Sequence, residues 1–444
     1  MWNYLLRSIP RPWRAHFSGP VAQRFVKGMF WSLIGALATK GFSVAAYMLL
    51  ARTLGQEKFG QFGMVLSTTV LFQSFASFGT ALTATKYVAE YRTTDPLRAG
   101  RIIGLSNLLA WCFGALFALL LVGLGPWIAQ RFLNAPALAP LLQIGAVAIF
   151  FQATNGAQMG VLCGLEAFRS LALGNILMGL LTPTLLLLGV WVDGLRGCVC
   201  ASTVSFGLMC LVFKWFTRRE LLRHHLSACY AGLRQEAPLL WKFSLPSLFV
   251  GLMVDPIGWI CNAMLVNQPN GYREMSLIGA TASWKNIVFF VPNTVGRVLL
   301  PMLSNLQGHG ERRKTRKLFM LNVAVNLALA LGVAVPVILF APWIMDGYGT
   351  GFRVGVPVLI VGMLSAVFIC LSNAAGTALL SAGHLWFSFG LNLLWAAVLL
   401  GGAWMWIPGH GALGQTLAFL AAYAILSMAA LALSLSLFHK EEQA

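Results

Sequence analysis

Four ionisable side chains fall inside long apolar stretches of this 444-residue chain, and they are its first candidates for chemistry. These residues are Lys40, Asp255, Lys285 and Arg297. A charged side chain in the middle of a bilayer costs at least about 2.5–3.5 kcal/mol on insertion scales, so it is retained where it lines a polar interior or has a partner. Three of the four are cations, which predicts an interior that is positive on balance and suited to an anionic ligand.

Lys40 and Asp255 occupy nearly equivalent places in an internal repeat. Pro126-Trp127-Ile128 recurs 216 residues later as Pro342-Trp343-Ile344. The same offset carries position 40 to position 256, next to Asp255. The first helix of each repeat therefore carries an opposite charge at nearly the same depth. Two interpretations stay open: a pair that breaks to open a gate or substrate site, and a static bridge that holds the two repeats together.

Lys285 and Arg297 lie on one predicted helix and have no cationic counterparts in the first repeat. Twelve residues apart, they differ by about 120° around an ideal helix, and Pro292 between them favours a kink that changes this angle. One interpretation makes them phosphate contacts at two depths. The other lets Arg297 extend to the cytoplasmic interface, because it lies close to the end of its span.

Three amide side chains, Gln152, Asn155 and Gln158, are spaced three apart and share part of one helix face. They are suited either to binding sugar hydroxyls or to hydrogen bonding between helices. The sequence has no Walker A, H-E-x-x-H or C-x-x-C motif, no G-x-S-x-G in a fitting context, and no histidine cluster. We therefore expect no catalytic residue, no metal, no cofactor and no enzymatic activity.

The elements that position these residues are predicted to be membrane-spanning helices. Hydrophobic residues make up 58% of the chain, charged residues 10%, and the mean hydropathy is +0.76. Apolar stretches of about 20 residues are long enough to cross a bilayer. About twelve such spans are predicted, with these bounds: 29–51, 61–84, 102–124, 138–162, 171–191, 197–216, 241–266, 276–303, 318–341, 355–379, 386–407 and 412–437.

Lysine and arginine set the predicted orientation. They are concentrated in alternate loops, above all in residues 1–28, 86–101, 214–242 and 312–317. Cytoplasmic loops carry the excess of these residues, so both termini are predicted to be cytoplasmic. The net charge of +18 is then explained by topology and by contact with anionic membrane lipids, and no nucleic-acid partner is expected.

The repeat divides the chain into two parallel units related by an axis along the membrane normal. The fold class is therefore all-α and polytopic, with two pseudo-twofold-related six-helix bundles. The predicted parts are a basic cytoplasmic segment (1–28), two bundles (29–216 and 241–437), a basic cytoplasmic linker between them (217–240) and a cytoplasmic tail (438–444).

The stretch Ala51-Arg52-Thr53-Leu54-Gly55-Gln56-Glu57-Lys58-Phe59-Gly60 carries a family resemblance. It resembles the "A-R-x-L-G-x-x-x-F-G" stretch between the first two spans of the polysaccharide-export or O-antigen branch of the multidrug/oligosaccharidyl-lipid/polysaccharide (MOP) flippase superfamily. Phe78-Gly79-Thr80-Ala81, followed by Lys86-Tyr87-Val88-Ala89-Glu90, continues the pattern in the second span. The resemblance covers the full length and implies a MATE-like arrangement of helices.

The resemblance implies a flippase that moves an undecaprenyl-pyrophosphate-linked oligosaccharide, an O-antigen or exopolysaccharide repeat unit, across the bacterial inner membrane. It implies a cationic central cavity, alternating access and a lipid-linked oligosaccharide as partner, and it leaves open a glycan polymerase and a chain-length regulator as further partners. On this basis the predicted substrate-binding residues are Lys40, Asp255, Lys285, Arg297, Gln152 and Asn155. The alternatives are a cation-coupled multidrug exporter of the same fold, a membrane glycan polymerase or ligase, and a structural assembly partner without transport.

Overall fold

The computed structural model describes the backbone of residues 20–236, 238, 244, 254–308, 312–381 and 385–443. Side chains within 20–37, 291–318, 377–386, 388–389, 435 and 437–443 lie outside this description. Every regular element among the described residues is helical. The apolar spans of the sequence fold this way because a helix satisfies all of its own backbone hydrogen bonds, which lipid cannot do.

The described part of the first half contains five α-helices. A short 3₁₀ turn at Pro136–Leu138 precedes the fourth of them. The helices are α1 (Pro20–Ser77), α2 (Thr80–Tyr91), α3 (Pro96–Arg131), α4 (Ala139–Gly164) and α5 (Phe168–Arg223).

The second half contains six described α-helices. A 3₁₀ turn at Phe352–Gly355 lies between the fourth and the fifth of them. The helices are α6 (Val254–Val266), α7 (Gly271–Gly308), α8 (Arg312–Leu339), α9 (Ala341–Tyr348), α10 (Val356–Ser381) and α11 (Leu385–Gln443).

Helix α5 is a helical hairpin. Its 56 residues would extend about 84 Å as one straight helix, whereas the hydrocarbon core is about 30 Å thick. The backbone leaves the helical region at Asp193 and Gly194, and the two segments pack antiparallel. Thr182 and Ser205 share a hydrogen bond of 3.1 Å between their hydroxyl oxygens, and Gly189 packs directly on Gly197.

Helix α11 repeats this hairpin. It breaks at Gly411, whose φ of 54° and ψ of −129° nearly equal the 49° and −126° of Gly194. Its two segments meet where Gly402 packs against Ala418. A side chain is strained at positive φ, so glycine is the residue that closes both turns.

The duplication inferred from sequence is visible in the helix bounds. Helices α4 and α10 are both 26 residues long, and they begin at 139 and 356 and end at 164 and 381, each pair 217 apart. Helices α5 and α11 begin at 168 and 385, again 217 apart. These offsets lie within one residue of the 216 that separates the two Pro-Trp-Ile stretches.

Seven helices in the described part of the chain are long and apolar enough to cross a membrane. Two of them contain the hairpins of α5 and α11. A third runs through α1 and α2, and its helix is broken twice, at Gly55, whose φ is 73°, and again just before Thr80. Two predicted loops need correction. The connection predicted from Gly125 to Ala137 is helical up to Arg131, and the one predicted from Ala341 to Val354 contains α9.

Helix α1 belongs to the cores of both halves. It packs against α3, α4 and α5 in the first half and against α6, α7 and α9 in the second. One continuous buried cluster accordingly includes Phe62 of α1 together with Leu277 of α7 and Leu359 of α10. The halves are therefore joined through α1.

The segment that follows α5 lies along the start of α3. The Cys229 amide donates to the Gly100 carbonyl at 2.9 Å, and Gly104 also packs directly on this segment, where a Cβ would meet the Cys229 carbonyl carbon at 2.9 Å. Arg98 donates to Glu236 at 3.1 Å. The predicted linker is therefore attached to the first half up to Glu236.

Candidate functional site

The structure places Asp255 against a serine. Asp255 lies in the first turn of α6, is half-buried, and accepts a hydrogen bond from the Ser74 hydroxyl of α1. Lys40 lies on α1 with an exposed side chain. Within the described residues there is no ion pair between Lys40 and Asp255, so the structure does not contain the pair that the repeat suggested. Equivalent depth in a repeat does not fix the direction in which each helix turns its side chains.

Asp255 begins a ladder of hydrogen bonds between the halves. Trp259 donates its indole N–H to Thr68 at 3.0 Å, and Asn262 donates to Ser67 at 2.9 Å. Gln415 of α11 then donates to the Asn262 oxygen at 2.7 Å. We call this set the polar ladder; its members are Ser67, Thr68, Ser74, Asp255, Trp259, Asn262 and Gln415.

Of the polar ladder, the sequence analysis identified Asp255 and missed the other members. Residues 255, 259 and 262 are spaced four and three apart, which places them on one face of α6, and this pattern was the signal available in the sequence. Hydrogen bonds between membrane helices contribute about 0.6 kcal/mol each on average. The ladder therefore aligns the halves without binding them irreversibly.

Lys285 lies among α7, α10 and α11. Its side chain is half-buried, and its ammonium lies 5.2 Å from the centroid of the Phe419 ring. The aliphatic part of Lys285 packs near Gly362 of α10. An ammonium over an aromatic face gains a favourable electrostatic interaction while its N–H groups stay available to a ligand.

Two aromatic residues of α11 lie beside Lys285. The Phe419 and Tyr423 rings stack one helical turn apart on α11, with centroids separated by 6.4 Å. Tyr423 also packs against Trp395, with the ring centroids 5.4 Å apart. The structure thus groups an amine and a short aromatic stack within the second half.

The amides of α4 serve packing in this conformation. Asn155 is buried and donates to the Phe206 carbonyl of α5 at 3.1 Å. Gln158 is buried next to Cys210 of α5, and Gln152 is half-buried. The Asn155 contact favours the interpretation as hydrogen bonding between helices. Arg297 belongs to α7, and its side chain lies outside the described residues.

A second contact joins the halves just after the break of α1 at Gly55, on the side that is predicted to face outward. The Gln56 amide donates to the Gly351 carbonyl at 2.7 Å, and Phe59 meets Phe352 edge-on at 6.2 Å. Gly60 packs directly on the backbone of Tyr272 in α7. We call this set the outward interlock; its members are Gln56, Phe59, Gly60, Tyr272, Gly351 and Phe352.

The outward interlock gives a physical role to the motif noted in the sequence. Gln56, Phe59 and Gly60 belong to the stretch from Ala51 to Gly60, and each contacts the second half. Tyr272 extends the contact by donating its hydroxyl to the Leu133 carbonyl at 2.8 Å. A glycine is required at position 60 because a Cβ there would lie 2.8 Å from the Tyr272 carbonyl carbon.

The fold defines the class of protein. A MATE family multidrug resistance transporter of the MOP superfamily, in an inward-facing conformation, matches 92% of this chain and 96% of its own at a TM-score of 0.76 and 13% identity. The lipid II flippase MurJ, in an inward closed conformation, matches 90% of this chain and 87% of its own at a TM-score of 0.72 and 12% identity. The chain therefore has the fold that these two solved structures share.

The particular family follows from the sequence. The family described as "Polysaccharide biosynthesis protein" matches residues 25–253, and the chain belongs to it. The EPS I polysaccharide export inner membrane protein EpsE of Ralstonia nicotianae is 23% identical over 428 residues, covering 95% of this chain and 94% of EpsE. Stage V sporulation protein B of Bacillus subtilis is 22% identical over 344 residues, covering 72% of this chain and 65% of that protein. The predicted membership of the polysaccharide branch is confirmed.

Proposed function

We propose that this protein is a flippase that moves an undecaprenyl-pyrophosphate-linked oligosaccharide across the bacterial inner membrane by alternating access. The observation that carries this proposal is the family membership, together with similarity to a polysaccharide export protein over 95% of the chain. The physical requirement is that a hydrophilic glycan must cross about 30 Å of hydrocarbon. Two halves joined by a modest polar ladder suit such a task, because the ladder can rearrange as the path opens.

We propose twelve membrane crossings in two bundles. Helices α5 and α11 each supply two crossings as hairpins, and α1 supplies two on either side of Gly55, the second of them continuing into α2. The helices α3, α4, α6, α7, α8 and α10 supply one each. In this arrangement the two bundles are residues 29–216 and 241–437. The loop charges place three segments in the cytoplasm: the residues before position 29, the basic linker, and the tail after position 437.

The conformation is proposed to be inward-facing. The halves interlock at the end that is predicted to face outward, where Gln56 and Phe59 meet the second half. Support also comes from the MATE family structures, since the inward-facing one has a TM-score of 0.76 and an outward-facing one has 0.67. Export then requires the outward interlock to separate.

Lys285 is the residue that we propose to contact the substrate phosphate. Its ammonium lies over the Phe419 ring and forms no ion pair with a carboxylate among the described side chains, so a pyrophosphate gains a charge-assisted partner there. Phe419 and Tyr423 offer flat apolar faces next to it. Lys40 and Arg297 remain proposed cationic contacts at other depths, and Gln152 and Asn155 remain proposed contacts to the glycan.

The test is lipid analysis after depletion of the protein in the cell that produces it. Undecaprenyl-pyrophosphate glycans are quantified by mass spectrometry, and a membrane-impermeant glycan-modifying probe reports the leaflet that they occupy. We expect complete repeat units to accumulate on the cytoplasmic face. Re-expression of the natural chain is expected to reverse this accumulation.

Two outcomes would contradict the proposal. Unchanged lipid-linked glycan with altered drug sensitivity would favour the multidrug exporter, which shares the fold. Complete repeat units that reach the outer face but remain unpolymerised would favour the polymerase or ligase. A cation-coupled exporter would be expected to carry several carboxylates within its spans, whereas Asp255 is the one carboxylate within the predicted spans of this sequence.

A further inference from the structure

A polar cavity lies at the end of the first half that is predicted to face the cytoplasm. It has a volume of about 310 Å³ and is bounded by the start of α5 and by the end of the same hairpin. Its polar lining residues are Glu166, Arg169, Ser170, Arg219, Glu220 and Arg223. At about 30 Å³ per water molecule, it has room for roughly ten waters, or for a phosphate ester of that size.

The two carboxylates of the cavity already have partners. Glu220 is buried and accepts from the Ser170 hydroxyl at 2.8 Å and from the Arg223 guanidinium at 3.0 Å. Glu166 forms an ion pair with Arg92 at 2.8 Å, and Arg92 lies outside the cavity lining. The acidic groups are thereby neutralised, and the excess charge of the lining is positive.

Arg169 and Arg219 provide this excess. Within the described part of the chain, neither forms an ion pair with a carboxylate. Arg219 instead lies 5.7 Å above the Trp215 ring, which restricts its position at the cavity. A planar guanidinium held in this way is well suited to bidentate binding of phosphate oxygens.

The surroundings of the cavity are apolar and exposed. Phe168, Leu173 and Trp215 have 66%, 44% and 58% of their surface accessible, respectively. In a membrane protein such side chains face lipid chains, so a ligand here meets a charged recess and a hydrophobic flank together. Basic pockets between helices at the cytoplasmic surface are suited to anionic headgroups.

We propose that this cavity binds the phosphate headgroup of an anionic phospholipid from the cytoplasmic leaflet. Arg169 and Arg219 bind the phosphate, and the acyl chains lie along Phe168 and Leu173. The site is separate from the polar ladder and from Lys285. It rests on the proposed orientation and requires no transport, so a failure of the flippase proposal leaves it standing.

The experiment compares lipid retention in two variants of the full-length protein. The cavity variant is R169Q/R219Q, and the matched control is R218Q/R234Q, which removes the same charge from exposed positions outside the lining. Each protein is purified in nanodiscs of phosphatidylcholine that contain phosphatidylglycerol as the minor lipid, because anionic leaflets attract basic segments. Retained phosphatidylglycerol is then counted by native mass spectrometry after transfer to detergent.

We expect phosphatidylglycerol binding to weaken by on the order of tenfold in the cavity variant and to stay unchanged in the control. We expect R169K/R219K to bind phosphatidylglycerol with an affinity between those of the natural protein and the cavity variant, because lysine keeps the charge but loses the bidentate geometry. Equal retention by the cavity variant and the control would overturn the proposal.

A free phosphate ester is the competing source of the same chemistry. It is tested by adding inorganic phosphate or glycerol 3-phosphate to the natural protein in phosphatidylcholine and by measuring the melting temperature. We expect a rise with phosphatidylglycerol and none with the soluble phosphates. An equal rise with the soluble phosphates would overturn the lipid assignment, and this measurement needs no variant to fold.

Discussion

Gly60 offers the sharpest test of the outward interlock. A Cβ at this position would lie 2.8 Å from the Tyr272 carbonyl carbon and still closer to its oxygen. Carbon atoms pack at about 3.5–4.0 Å, so α1 and α7 have to separate by at least roughly 0.7 Å to accept an alanine. Because the contact is with backbone, no side-chain rotation relieves it. G60A should therefore destabilise the conformation in which the interlock is closed.

The magnitude follows from overpacking, which costs about 1–3 kcal/mol in well-packed interfaces. Every 1.4 kcal/mol changes an equilibrium constant by a factor of about ten, so the closed population relative to the open one should fall about five- to 150-fold. Gly63 supplies the matched control, since it is one turn further along α1. A Cβ there would lie 3.6 Å from the terminal methyl of Met275, an ordinary contact.

The assay is a pulsed electron spin resonance distance measurement across the outward side. Spin labels are placed at Lys58 and Val354, both exposed, in a background whose eight native cysteines have been replaced. G60A should shift the distance distribution to longer values, and G63A should leave it as in the parent. Both substitutions replace glycine by alanine in a helix and gain the same helix propensity, so this gain cancels when G60A is compared with G63A. Identical distributions for the two folded variants would refute the interlock as a contact that sets the conformation.

Three further predictions concern the ladder and the charged residues. K285M should lower glycan translocation severalfold at unchanged membrane abundance, whereas K58M in the outward turn should not; parallel loss of protein would indicate a structural role. N262L should lose about 1 kcal/mol through its two hydrogen bonds, measured as a lower midpoint of unfolding in detergent, and an unchanged midpoint would contradict the ladder. The exchange of Lys40→Asp with Asp255→Lys should restore translocation lost in each single variant only if the two residues meet in another conformation; absence of rescue would exclude direct pairing.

The sequence predicted the fold to a large extent because its signals are local or periodic. Apolar length identifies the helices, and the recurring Pro126-Trp127-Ile128 reports the duplication that α4 and α10 display. The breaks at Gly194 and Gly411 fall in the predicted connections between spans. These features depend on residues near one another in the chain, so they can be inferred without knowledge of packing.

The partners of the candidate site could not be predicted in the same way. That Asp255 meets Ser74 and that Asn155 meets the Phe206 carbonyl depends on how each helix is rotated against its neighbour. Hydropathy is insensitive to this rotation when a helix is apolar all round. Lys285 was found because burying an amine is costly, but its contact with Phe419 required the packing of α7 against α11.

The glycine-closed hairpins also bear on how the protein enters the membrane. In the proposed arrangement of twelve crossings, each of α5 and α11 leaves the membrane on the side on which it began, so a hairpin contributes an even number of crossings. If α5 inserts late during synthesis, every later helix still crosses the membrane in the correct direction, because a missing pair of crossings does not change the side from which the next helix starts. Loss of the turn at Gly194 or Gly411 would instead leave one crossing without its return, and the chain that follows would be inverted.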